Sequence, residues 1–136
     1  MQSDLPSADS KRILLCAHQF FPHFSAGTEV LTLSTAQALR GLGFAVDIVT
    51  AKLSDIESVE VSKYRYKDFT VHQLAIPYTA GKISSATLMK EYYNPSVYLP
   101  FRNLLEQLKP DLVHFFHLKN LTITALNACF EKNIPT

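Results

Sequence analysis

Gly27 and Thr28 are the residues whose types and position best suit the binding of an anion. They follow an aromatic-rich loop, residues 19–25, and open a helical pattern. The free N–H groups and positive dipole end of a helix start favour phosphate, and glycine leaves room for it. Alternatively the helix only needs a small residue there, because one glycine is not the G-x-G-x-x-G fingerprint of dinucleotide folds. Glu29, in the first turn, is expected to stabilise the helix dipole or to contact a ligand hydroxyl.

Three histidines are placed to meet at one end of a parallel sheet. His18 follows the apolar run 13–17, and His114 and His117 lie within and after the apolar run 112–116. If these runs are neighbouring strands, their carboxyl ends meet at the topological switch point, where open α/β sheets bind ligands. We expect His18 and His117 to lie there, as ligand contacts or as packed side chains, and His114 to be a hydrogen-bonded core residue. No spacing of histidine, cysteine and aspartate favours a metal site.

The elements that must position these residues form a βαβ unit. A strand over 13–17 is followed by a helix that starts at Gly27 and stops at Gly43, and then by a strand over 44–49. Such a unit predicts a right-handed crossover between parallel strands. The helix is expected to bury the residues that recur at helical spacing, which are Leu31, Thr35, Ala38 and Leu42.

The next segment predicts a hairpin at the edge of the sheet. Residues 52–58 are expected to form a loop, and 59–66 an edge strand whose basic residues discourage aggregation. Lys67-Asp68 is the expected turn into a sheet strand over 70–76. Residues 77–82 are interpreted as a loop.

Two longer helices flank the last strand. A short helix is expected over 85–93, and a longer one from Asn94-Pro95 to Lys109-Pro110. The apolar stripe of the longer helix is Val97, Phe101, Leu104, Leu105 and Leu108. The last helix, 122–132, is predicted to bury Ile123, Leu126, Ala128 and Phe130.

Composition indicates one globular domain. The chain has 136 residues, of which 47% are hydrophobic, and its formal net charge of +1 argues against nucleic-acid binding. Residues 1–10 lack the apolar core of a signal peptide and are expected to be a disordered tail before a domain at 11–136. Cys16 and Cys129 are interpreted as buried free thiols in a reducing cytoplasm.

Four motifs carry a family resemblance. They are Pro22 with Ala26-Gly27-Thr28-Glu29, then Gly43-Phe44-Ala45-Val46, then Asn94-Pro95 leading to Lys109-Pro110-Asp111-Leu112-Val113-His114, and last Asn133-Ile134-Pro135-Thr136. In this order they resemble the amino-terminal domain of the family-four glycosyltransferases, which shows proline with Gly-Gly-x-Glu, Gly-His-x-Val, Arg-Pro-Asp-Val-Val-His and Gly-Ile-Pro. Ala26 stands where that family's first glycine usually lies. The resemblance implies an α/β fold, with a Rossmann-like, doubly wound, mostly parallel sheet that is one half of a GT-B fold.

The resemblance also implies an activity. It is the retaining transfer of a sugar from a nucleotide-sugar donor to a glycan or lipid acceptor, as in polysaccharide biosynthesis. In that family the amino-terminal domain mostly holds the acceptor, the carboxy-terminal domain holds most of the donor, and the active site is the cleft between them. The family's catalytic-side histidine commonly follows the strand beyond Thr136, so no catalytic residue is assigned and the chain alone is expected to be inactive. The expected substrate-binding residues are Gly27, Thr28, His18 and His117, and neither cofactor nor metal is expected.

Some expectations concern the surroundings of the domain. The competing function is a non-catalytic, Rossmann-like binding or interaction module. We expect a cytoplasmic enzyme, peripheral to the inner face of the membrane in its full-length form. A chain that ends at Thr136 leaves the strand at 112–116 with a bare edge, which favours self-association unless the last residues fold over it. Phe20, Phe21 and Phe24 are expected to pack onto the domain or to form a lip facing the acceptor or the second domain.

Overall fold

The computed structural model describes residues 9–79, 81 and 84–136. Most of the predicted tail and part of the predicted 77–82 loop therefore lie outside the described residues. The elements, in chain order, are β1 (Arg12–Ala17), α1 (Gly27–Gly41), β2 (Ala45–Ser54), β3 (Glu60–Tyr66), β4 (Phe69–Pro77), α2 (Ser85–Met89), a 3-10 turn (Pro95–Val97) that leads into α3 (Tyr98–Leu108), β5 (Leu112–Phe115) and α4 (Thr122–Glu131).

The described strands form one sheet in the order β3-β4-β2-β1-β5. The pairs β1–β2, β2–β4 and β1–β5 are parallel, and only β3 runs antiparallel to its neighbour. The chain therefore winds outward from β1 in one direction, through β2 and β4, and then crosses to β5 on the other side. This confirms the doubly wound prediction, and Ile13 is paired with Leu112 as expected. The switch point lies between β1 and β5.

Each face of the sheet has its own core. On one face α1 packs over an apolar cluster that includes Leu15, Ile48 and Val71. On the other face the 3-10 turn, α3 and α4 cover a cluster that includes Leu14 and Val113. The predicted stripe of the longer helix is confirmed, because its residues belong to this second cluster, with Leu108 at its margin. The buried faces of the strands explain the unbroken apolar runs, since a strand covered on both sides needs apolar residues at every position.

The predicted buried stripe of α1 is wrong. Leu31 and Leu42 are 56% and 75% exposed, while the fully buried residues of the helix are Glu29, Thr32 and Ala36. The helix therefore turns fully buried small and polar residues toward the sheet, with the half-buried Leu33 and Leu39 packed at the margin of the core. The predicted stripe missed this face because its fully buried residues are not the large apolar ones.

The predicted stripe of α4 is also partly wrong. Ala128 is buried and Leu126 half-buried, but Ile123 and Phe130 are 45% and 83% exposed. The residues that α4 buries are mostly small ones: Thr122, Thr124, Ala125, Ala128 and Cys129. Small side chains allow the helix to pack closely, and the larger apolar side chains are left on its outer surface.

The second strand is longer than predicted. β2 continues to Ser54, where the predicted loop 52–58 had already begun, because its parallel partner β4 extends the ladder to the pair Ser54 and Pro77. The hairpin prediction is confirmed. Lys67 and Asp68 form its turn with φ values of 45° and 68°, and β3 is an edge strand.

The outer edge of β5 is in contact with the end of the chain. The N–H of Val113 donates a hydrogen bond to the carbonyl of Pro135 at 2.9 Å. The last residues thus lie against this edge, which is one of the two expected arrangements, and self-association stays a prediction. Both cysteines are buried and free, and burial raises the pKa of the Cys129 thiol to about 12. Within the described residues, no helix has the length and apolar character that a membrane crossing needs.

Candidate substrate site at the switch point

The carboxyl ends of β1 and β5 bring two histidines together. The strands are in register from Ile13 to Cys16, and the Phe116 N–H continues the pairing with a 2.8 Å bond to the Cys16 carbonyl. The next side chains are His18 and His117, whose ring centroids are 4.6 Å apart at an angle of 41°. The structure therefore shows the predicted juxtaposition.

His117 is oriented by its own loop. The backbone N–H of Lys119 donates to His117 Nδ1 at 2.9 Å. A nitrogen that accepts this bond carries the lone pair, so the ring proton of neutral His117 is on Nε2. The Lys119 ammonium forms an ion pair with the carboxylate of Glu91, 3.9 Å away, in the turn that follows α2.

His18 is held in its neutral form. Burial lowers the pKa of His18, and the nearby His117 lowers it further. The Glu29 carboxylate acts in the opposite direction and raises the pKa of His18, and Lys119 lowers that pKa. A neutral imidazole offers a hydroxyl group one hydrogen-bond donor and one acceptor.

The interpretation of His114 as a core residue is wrong. His114 is exposed, and its ring meets that of Phe116 edge-to-face at 4.6 Å. It lies on the α1 side of β5, but α1 packs over β1 and β2 rather than over β5. The sequence alone could not show that, among the described elements, the helix on this face covers β1 and β2 and not β5.

Within the described residues, the start of α1 has no side-chain cap. Ala26 is the N-cap residue and has no side-chain acceptor, so it cannot bond the first amides of the helix as serine or aspartate would. The N–H groups of Gly27 and Thr28 are therefore open to a ligand. A Cβ atom placed on Gly27 would meet no atom within 4 Å. The fold does not require glycine here, and the space in front of it is empty.

Glu29 fastens the loop to this helix start. Its Oε2 accepts a 2.6 Å hydrogen bond from the Ala26 N–H, which gives it a structural role at the helix start. The side chain is completely buried, and among the residues that the structure describes its Oε1 has no hydrogen-bond partner. Buried carboxylate oxygens are usually bonded, because their desolvation is costly. Contact with a ligand hydroxyl stays a prediction.

The first half of the aromatic loop packs onto its own domain. Phe20 is 2% exposed, and Phe21 stacks on Tyr66 with centroids 5.2 Å apart. The Tyr64 hydroxyl donates to the Phe21 carbonyl at 2.5 Å, and burial raises the pKa of Tyr64 to about 12. Phe24 is 45% exposed, and so the structure bears out the packed alternative for Phe20 and Phe21 but not for Phe24.

A cavity at the same end of the sheet went unnoticed in the sequence. It has a volume of about 260 Å³ and lies where β2 and β4 end, next to α2. Its polar lining includes Tyr78, Thr79, Asn94 and Asn120. Asn94 was interpreted only as a helix cap, which it is, because its Oδ1 accepts from the Ser96 N–H at 3.1 Å. The available signal was the polar residues just after β4 and β5, but no pattern showed that they share a cavity.

The doubly wound sheet is the kind of α/β fold in which ligands bind beyond the carboxyl ends of the parallel strands. The candidate site lies at the carboxyl ends of β1 and β5. The sequence profile of Glycosyltransferase Family 4 matches residues 25–136. The chain therefore belongs to this family, and its sheet is consistent with one half of a GT-B fold. Gly27, Thr28 and His117 lie within the matched region, and His18 precedes it. Searches of curated proteins and of solved structures returned no match.

Proposed function

We propose that this domain is the acceptor-side wall of a retaining glycosyltransferase that uses a nucleotide-sugar donor and a glycan or lipid acceptor. The observation that carries the proposal is the meeting of His18, His117 and the start of α1 at one edge of a sheet that belongs to Glycosyltransferase Family 4. The two histidine rings and the first amides of α1 would line the crevice that a second domain closes.

The helix start serves the charge that develops in sugar transfer. As the glycosidic bond to the leaving group breaks, negative charge grows on the diphosphate. Fixed N–H donors aimed at that charge are the most effective help a protein can supply. The amides of Gly27 and Thr28 are such donors, and the empty space in front of Gly27 lets a phosphate approach the backbone.

The cavity beside α2 serves the acceptor. Tyr78, Thr79, Asn94 and Asn120 supply hydroxyl and amide groups, which are the usual partners of sugar hydroxyls. Leu53, Ile76 and Pro77 supply apolar contacts on the same walls. A pocket with apolar walls and a few polar groups is typical of a specific small-molecule site.

The isolated chain is proposed to be inactive, because one wall of a crevice does not close around the donor. Incubation of the purified 136-residue chain with nucleotide sugars and glycan acceptors should give neither transfer nor donor hydrolysis. Measurable sugar transfer by the chain alone would contradict this part of the proposal.

Ligand titration followed by two-dimensional ¹H–¹⁵N NMR tests the site itself. Inorganic pyrophosphate should first shift the amide signals of Gly27 and Thr28, and UDP should in addition shift signals at His18 or His117. Phosphate binding to a helix start requires these amides. Shifts confined to the opposite end of the sheet, or no shifts at millimolar ligand, would rule the site out.

A further inference from the structure

Two buried polar atoms near the switch point lack a partner. They are Oε1 of Glu29 and Nδ1 of His18, and neither has a hydrogen bond within residues 9–79, 81 and 84–136. The Glu29 carboxylate nevertheless acts electrostatically on the His18 ring. The His18 side chain is half-buried as a whole, so its buried Nδ1 lies on the protein side of the ring.

The carboxylate favours one of the two tautomers of neutral His18. A lone pair on the buried Nδ1 is disfavoured by the negative potential of Glu29, whereas an N–H there is stabilised by it. In that tautomer Nε2 is the hydrogen-bond acceptor.

His117 has the opposite tautomer. Its Nδ1 already accepts from the Lys119 N–H, so its Nε2 carries the proton. The two rings lie 4.6 Å apart. One ring thus offers an acceptor and the other a donor, and a hydroxyl group, which both donates and accepts, can bond to both.

We propose that Glu29 is a positioning residue that holds His18 in its Nδ1–H tautomer, so that His18 and His117 together bind one hydroxyl group of the sugar substrate. The hydroxyl donates to His18 Nε2 and accepts from His117 Nε2–H. This inference rests on the proposed function, which supplies a hydroxyl-bearing substrate at this edge. It gives Glu29 a role beyond fastening Ala26.

Long-range ¹H–¹⁵N NMR of the histidine rings tests the tautomers without any ligand. At neutral pH the wild-type chain should show His18 as Nδ1–H and His117 as Nε2–H. In Glu29→Gln the carboxamide keeps the bond to Ala26 with its oxygen and places its NH₂ toward Nδ1. His18 should then change to Nε2–H, and its pKa should fall because the carboxylate that raises it is gone.

The controls keep the result interpretable. Glu60→Gln changes an exposed glutamate on β3, the strand at the far edge of the sheet, and should leave both rings unchanged. His117 serves as an internal reference in every variant. A wild-type His18 in the Nε2–H form, or a tautomer that Glu29→Gln does not change, overturns the positioning role. The wild-type spectrum alone is decisive if the Glu29→Gln chain does not fold.

Glucose 1-phosphate and its monodeoxy analogues test the hydroxyl. One analogue should bind about tenfold more weakly than the parent, since a site built to bond a hydroxyl rejects a ligand without it. His117→Phe should remove that difference. No binding of glucose 1-phosphate, or equal binding of all analogues, overturns the hydroxyl contact. Failure of the proposed function would look different, because pyrophosphate would then leave the Gly27 and Thr28 amides unshifted.

Discussion

Helices α1 and α3 lie on opposite faces of one sheet, and they face it with opposite kinds of residue. The inward side of α3 is apolar, with Phe101, Leu104 and Leu105 all nearly inaccessible. The fully buried residues of α1 are Glu29, Thr32 and Ala36. Two of its leucines, Leu33 and Leu39, are half-buried at the margin of the core, and Leu31 is exposed. The fully buried positions of α3 are therefore large and apolar, whereas those of α1, whose start lies at the candidate site, are small or polar.

This difference coincides with the candidate site at the start of α1. A buried glutamate at the start of α1 costs stability that an apolar residue would not. It accepts the hydrogen bond of the Ala26 N–H, and the first amides of the helix have no side-chain cap because Ala26 carries no acceptor. Departures from local sequence rules are expected at functional sites, because the rest of the fold compensates for them.

Removal of a large side chain from the α3 face should have the largest effect. Phe101→Ala leaves a cavity in the second core and should lower the free energy of unfolding by about 3–5 kcal/mol. Leu31→Ala, on the outward side of α1, should change it by no more than about 0.5 kcal/mol. Urea unfolding followed by circular dichroism measures both. Equal losses in the two variants would mean that the α1 face has been assigned wrongly.

Overpacking of the α1 face is the next largest effect. Ala36 is completely buried, and Ala36→Leu should cost about 1–3 kcal/mol because the extra atoms force the helix away from the sheet. Ala38→Leu, two residues on and exposed, is the matched control and should be nearly neutral. A destabilised Ala38→Leu with an unaffected Ala36→Leu would restore the stripe expected from the sequence.

The helix caps offer a test in both directions. Asn94→Ala removes the cap bond before α3 and should cost about 1 kcal/mol. Ala26→Ser adds a cap to α1 and should stabilise the chain by a similar amount, about 0.5–1 kcal/mol. The added hydroxyl occupies an amide that a ligand would use, so pyrophosphate affinity should fall as stability rises. If Ala26→Ser increased both the stability and the pyrophosphate affinity, the free amides would not be the anion site.

The smallest expected effect is on pH dependence. Burial lowers the pKa of both His18 and His72 in the folded chain. The unfolded chain takes up these protons first, so the stability is present above about pH 6.5 and is lost as the pH falls below it. Urea midpoints at about pH 7.5 and about pH 5.5 should differ less in His18→Gln than in the wild type. An unchanged difference would mean that His18 titrates alike in both states.

Prediction from the sequence succeeded where residue type and spacing decide the local structure. The runs at 13–17 and 112–116, the α3 stripe and the 67–68 turn all followed from residue type and spacing, and so did the meeting of His18 with His117. The fully buried positions of α1 and α4 did not, because small and polar residues occupy them. The lining of the cavity near Asn94 depends on tertiary contacts that no local pattern encodes.

Pyrophosphate affinity of two glycine variants tests the central claim most directly. Gly27→Ala and Gly41→Ala place a methyl group at opposite ends of α1, and neither methyl meets an atom within 4 Å, so both should leave folding intact. If the start of α1 is the phosphate-binding wall of a glycosyltransferase cleft, Gly27→Ala should weaken pyrophosphate binding about tenfold, or ~1.4 kcal/mol, while Gly41→Ala leaves it unchanged. Equal affinity in the wild type and both variants would contradict the claim.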